Sequence, residues 1–107
     1  TINTILFFHF YAMLFYMQYI KVNWIHSNPE DPTTLYSELD ESRMEIRKIE
    51  IWSNGRIGSS NFSESTNSTK LGKASVPIIS EIEKDSQFQP FEISKDEFEE
   101  VWSKRNS

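Results

Sequence analysis

His26 is followed at four and five residues by Glu30 and Asp31, a spacing that could assemble a general base or part of a metal site. A zinc centre needs three or four ligands in fixed geometry, and one imidazole with two loop carboxylates falls short of that. A surface histidine at a strand end is the simpler reading. A second constellation is Glu38, Asp40, Glu45 and Glu50, interleaved with Arg43, Arg47 and Lys48. Paired carboxylates could hydrolyse a glycoside. The cations between them predict instead cross-strand ion pairs on a solvated face. A third is Trp24, Tyr36 and Trp52, which could stack nucleobases; without a basic groove they read as core or rim residues.

The composition removes further chemistry. With no cysteine, thiolate catalysis, disulfides and Cys-based zinc sites are excluded. Three glycines leave no phosphate-cradling loop, and no nucleophile elbow is present. The sequence therefore predicts no catalytic residue, no metal site and no cofactor. Sixteen acidic residues against eleven basic ones give a net charge of −5, a poor surface for nucleic acid and a good one for a basic protein. The acidity gathers late in the chain, in Glu81, Glu83, Asp85, Glu92, Asp96, Glu97, Glu99 and Glu100. Such a run serves either as solvated helix faces or as a docking patch for a cationic partner.

The elements that must position these residues follow from periodicity. Gln18 to His26 alternates, with Ile20, Val22 and Trp24 on one side and Lys21 and Asn23 on the other, a strand with one buried face. Pro29 and Pro32 end it. Thr33 to Leu39 is a second strand, joined through Asp40-Glu41-Ser42 to a third from Arg43 to Trp52. In the third the apolar phase slips between Ile46 and Ile49, which a β-bulge at Arg47-Lys48 or a strand crossing between two cores would explain. Asn54-Gly55 predicts a two-residue turn that sets Trp52 opposite Ile57, with a fourth strand from Arg56 to Ser60. Ser59 to Ser75 reads as a long loop, carrying Phe62 and Glu64. Val76 to Lys84 reads as a short helix and Phe88-Gln89-Pro90-Phe91 as a connector. Ser94 and Glu97 form a capping box that starts a helix with Phe98, Val101 and Trp102 inward and Glu99 and Glu100 outward. The expected architecture is α+β: an antiparallel sheet of about four strands followed by two C-terminal helices packed on one face.

Residues 1–16 stand apart. No charge occurs before Lys21, and Ile5 to Tyr16 is apolar throughout. A helix from Ile5 to Ile20 would reach about 24 Å, short of a roughly 30 Å bilayer core. A signal peptide would want a basic start and a small-residue cleavage site, and neither is there. The residues favour a domain over 17–107 whose natural start is Met17, ahead of an interfacial anchor as the role of the leader.

The run Met17-Gln18-Tyr19-Ile20-Lys21-Val22-Asn23-Trp24-Ile25-His26 resembles the opening of a family of small bacterial proteins known only as a domain of unknown function. The likeness continues through Leu35-Tyr36-Ser37-Glu38-Leu39-Asp40 and Glu45-Ile46-Arg47-Lys48-Ile49-Glu50-Ile51. It ends in Phe98-Glu99-Glu100-Val101-Trp102. Members of this type resemble immunity proteins of contact-dependent growth inhibition and other polymorphic toxin systems. The resemblance implies a cytoplasmic antitoxin, not an enzyme, that binds a cognate toxin domain one to one and blocks its active site. A basic nuclease, an RNase above all, would suit the acidity. The expected contact surface is Glu81, Glu83, Asp85, Glu92, Asp96, Glu97, Glu99 and Glu100 with Phe62 and Glu64 of the loop. Two alternatives stay open: a membrane-attached accessory protein anchored by the leader, and a small hydrolase using His26. Without a native leader no membrane contact is expected.

Overall fold

Apolar alternation produces five antiparallel strands. The computed structural model describes residues 16–106, so the expectation for the apolar leader lies, except for Tyr16, outside the described residues. The strands are β1 (Gln18–Trp24), β2 (Thr34–Leu39), β3 (Glu45–Ile51), β4 (Ile57–Ser60) and β5 (Phe88–Ile93). They form one sheet in the order β4-β3-β2-β1-β5. Helix α1 (Ile79–Ile82) precedes β5, and helix α2 (Lys95–Ser103) follows it.

The fifth strand is the element that the sequence reading took for a connector. Pro90 lacks an N–H and cannot donate to a ladder, which argues against an interior strand. Here β5 is the sheet edge and pairs only with β1, Pro90 opposite Val22. On an edge the missing donor costs little, and it also discourages pairing with another chain.

The bulge lies earlier than the phase slip suggested. Glu38 pairs with Arg47 and Leu39 with Glu45, so Ile46 is the extra residue. One inserted residue returns Glu45 to the face that carries Lys48, while Arg47, Ile49 and Ile51 share the other. The β3–β4 turn is also one residue longer than Asn54-Gly55 alone. Ile51 pairs with Ile57, Trp52 N–H donates to the Arg56 carbonyl, and Gly55 N–H donates to the Trp52 carbonyl. Gly55 closes the turn at φ 88°, a conformation that glycine tolerates and that fits a three-residue hairpin loop. Trp52 therefore faces Arg56, whose guanidinium sits 4.2 Å from the indole centroid, and not Ile57.

The two helices occupy opposite faces of the sheet rather than one. On the front face α2 lays Phe98, fully buried, against Tyr19 and Ile49. Removing a phenylalanine side chain from water contributes about 1.5–3 kcal/mol. The Tyr19 and Phe98 rings stand 5.4 Å apart. Ser94 caps the helix as its sequence predicts: its hydroxyl oxygen accepts from Glu97 N–H at 3.1 Å. On the back face Ile82 of α1 joins Ile20, Val22, Leu35 and Phe88 around a cleft. Tyr19 and Ile20 are both buried although they point to opposite sides, so the start of β1 is covered on both faces.

Candidate functional site

The structure does not bring the expected contact residues into one patch. Glu81, Glu83 and Asp85 lie on and just after α1, and Glu92 points from β5 to the back face. Asp96, Glu97, Glu99 and Glu100 lie on α2, above the front face. Only the second group lies on the helix whose end approaches Glu64 of the loop. Arg105, just past α2, approaches Glu64 at 3.8 Å and stacks 4.0 Å from the Trp102 centroid. The C-terminal end of α2 and the loop tip thus form one continuous surface.

That loop is tightly tied. It begins at Asn61, since Ser59 and Ser60 belong to β4. The Asn61 side-chain oxygen accepts from the backbone N–H groups of Ser63 and Glu64, both at 2.9 Å. The Ser60 and Ser65 hydroxyls meet at 2.7 Å, and Thr66 N–H donates to the Ser59 carbonyl at 2.8 Å. At its tip Phe62 is 94% exposed, the most exposed large apolar side chain among the described residues. An Asx turn holds Phe62 in the solvent, and no neighbour shelters its ring.

Glu99 departs from its expected outward role. The Arg47 guanidinium clasps Glu38 at 2.7 and 2.9 Å and Glu99 at 2.5 and 3.2 Å. The same group lies 4.8 Å from the Phe98 centroid and 5.0 Å from that of Trp102. Glu38 and Arg47 are direct cross-strand partners, as their alternation suggested. The pair is nevertheless roofed by α2 and not solvated, with side chains 10% and 18% exposed. The hydrogen bond to Glu38 raises the Arg47 pKa against the opposing effect of burial, and the bond from Arg47 holds the Glu99 carboxyl below its ordinary range. Burial, then the hydrogen bond to Glu38, pushes the Tyr19 phenol up to about 12. Sequence reasoning anticipated cross-strand ion pairs but missed this junction of β1, β2, β3 and α2; its visible signals were the interleaved charges and the phase slip in β3.

The remaining carboxylates are dispersed. Glu81 pairs with Lys84 at 2.9 Å and Glu100 with Lys104 at 3.1 Å, exposed pairs that add little stability. Glu97 accepts from the Ser94 hydroxyl at 3.3 Å, and Asp85 accepts from Gln87 N–H at 3.0 Å. His26 is absorbed by the turn after β1. Asn28 N–H donates to its Nδ1 at 3.0 Å, which leaves Nε2 as the donor to the Pro32 carbonyl at 2.8 Å. Trp24 packs its edge against the imidazole at 4.5 Å. Among the described residues no group of three or more His, Cys, Asp and Glu could hold a metal ion. Among them, too, no helix is long and apolar enough to cross a membrane.

Fold and surface together define a small α+β domain with one five-stranded antiparallel sheet and carboxylates displayed on both sides. Residues 18–107 match the family described as Domain of unknown function (DUF6881), and the chain belongs to that family. No curated protein and no solved structure matches it.

Proposed function

We propose that this protein is an immunity protein: a cytoplasmic, non-catalytic antitoxin that binds the domain of a cognate bacterial toxin and occludes its active site. The resemblance set out above suggests the role, and the family match neither adds to it nor detracts from it. The observation that carries the geometric side is the surface shared by Phe62, Glu64 and α2. An aromatic ring 94% exposed on a hydrogen-bonded loop is an anchor that loses little conformational freedom on docking. Glu64 in the same loop, and Asp96, Glu97 and Glu100 along α2, supply negative charge, which would steer a basic partner and take the place of phosphates in a nuclease cleft. A ribonuclease is the partner class this charge suits best. Glu99 is withdrawn from the contact set because Arg47 already holds it.

The test begins with the gene beside this one: if it encodes a large exported protein, the C-terminal domain of that protein is assayed with this chain, and a neighbour of any other kind counts against the role. The expected result is a 1:1 complex that abolishes the toxin's nuclease activity and weakens as salt rises. Charge reversal at Glu97 and Glu100 with Phe62→Ala should cut affinity at least tenfold. An affinity indifferent to both salt and these three changes removes this surface from the proposal, and the lack of any inhibition removes the role.

A further inference from the structure

The back of the sheet holds a second site. Between the strands, residues 72–77 and α1 lies an open cleft of about 550 Å³, lined by Ile20, Val22, Leu35, Val76, Ile82 and Phe88. Small-molecule sites are concave and run to roughly 300–1,000 Å³, a range that includes this cleft. Residues 72–77 are pinned at both ends. Arg43 donates to the carbonyls of Val76 and Pro77, both at 2.8 Å, and also to the side-chain oxygen of Gln18. Gly72 N–H donates to Glu45 Oε1 at 2.6 Å. These ties hold that segment where it stands, so the space is a built feature of the fold.

At the β3 end of the cleft two lysines, Lys48 and Lys73, stand against one carboxylate, Glu45. Glu45, with its side chain 6% exposed, is fully engaged: Ser37 donates to its Oε2 at 2.9 Å, and its Oε1 takes both the Gly72 N–H and Lys48 Nζ, the latter at 3.4 Å. Lys48 directs a second donor to the Lys70 carbonyl at 3.5 Å. Both contacts are long, and an ammonium has three donors. Lys73 lines the same end. The acidic groups of the lining, Glu81 and Asp85, belong to the segment that leads into β5, across the sheet from β3. From β3 to β5 is three strand spacings, about 14 Å, room enough for an extended chain of ten carbons.

We infer that this cleft binds a medium-chain monocarboxylate, its acid group on Lys48 and Lys73 and its chain lying across Leu35, Ile20 and Val22 toward Phe88. The site is independent of the proposed toxin contact. The test is calorimetry and methyl NMR of the full chain with decanoate and, separately, 1-decanol. Decanoate should saturate one site at least tenfold more tightly than the alcohol. It should shift the methyls of Ile20, Val22, Leu35 and Ile82 and leave Ile49 and Val101 unmoved. Lys48→Met should erase the preference for the acid, and Val22→Phe, which sets a ring in the path of the chain, should weaken both ligands at least tenfold. Equal affinity for acid and alcohol on the unaltered chain overturns the inference without relying on either variant. So does an absence of saturable decanoate binding, shifts centred on the front face, or undiminished binding to Val22→Phe.

Discussion

Arg47→Ala should be among the most damaging single substitutions in this domain. The guanidinium makes four nitrogen–oxygen contacts, two to Glu38 and two to Glu99, and lies over two aromatic faces. Its removal strands Glu38, whose side chain is only 10% exposed and which retains just the Tyr19 hydroxyl. Breaking a buried pair from one side costs about 3–5 kcal/mol. Glu99, at 41% exposure, adds less than about 1 kcal/mol because solvent screens it. A domain of this size has roughly 5–13 kcal/mol in total, so a loss near the lower bound lowers the melting temperature by about 12–24 °C. Urea unfolding followed by tryptophan fluorescence, with Trp102 as the local reporter, measures it. The double replacement Glu38→Leu with Arg47→Met should regain most of the loss, since it removes both charges and keeps their volume. A cost for Arg47→Ala below about 1 kcal/mol, or a double variant no better than Arg47→Met alone, refutes the claim that an uncompensated Glu38 is the source. The Glu99 arm has a pH signature. Its folded pKa lies below the ordinary 4.5, so its contribution is present above that value and vanishes as pH falls through the lower folded one. Glu99→Gln should therefore flatten the acid limb of the stability curve by lowering stability at neutral pH, by less than about 1 kcal/mol, and leave the most acid end nearly unchanged.

Two further outcomes test the packing. Tyr19 has its folded pKa raised from 10 to about 12, so the phenol's contribution is intact below pH 10 and is lost as pH climbs toward 12; Tyr19→Phe should remove that alkaline slope in denaturation midpoints. Gly58→Ala would place a Cβ 2.1 Å from Thr69 Oγ1 and 3.1 Å from the Thr66 carbonyl, and should cost about 1–3 kcal/mol by overpacking. Adding Thr69→Ala should recover part of that cost, a coupling visible in a double-mutant cycle from thermal melts.

The local elements could be read from the chain because each announces itself within a few residues. The alternation of Ile20, Val22 and Trp24 defines β1, the interleaved Glu38 and Arg47 foretell a cross-strand pair, and Ser94 with Glu97 starts α2. The site was less legible. Glu81 to Asp85 and Asp96 to Glu100 form one acidic run in sequence, yet β5 between them carries the chain across the sheet edge and sends them to opposite faces. Loop residue Glu64 meets Arg105, just past the end of α2, in a contact that spans 41 positions.

By itself the sequence determined the period-2 strands, the capped helix, the turn at Gly55 and the negative charge, all consequences of short-range sterics and composition. Tertiary structure alone decided that Pro90 belongs to a strand, because its missing donor is harmless only on an edge. It alone made Arg47 the junction of three strands and a helix, because one bulged residue, Ile46, sets which face every later side chain of β3 occupies. The back cleft has the same origin. No single segment encodes it, and it exists because Arg43 and Glu45 hold residues 72–77 off a sheet formed by strands distant in the chain.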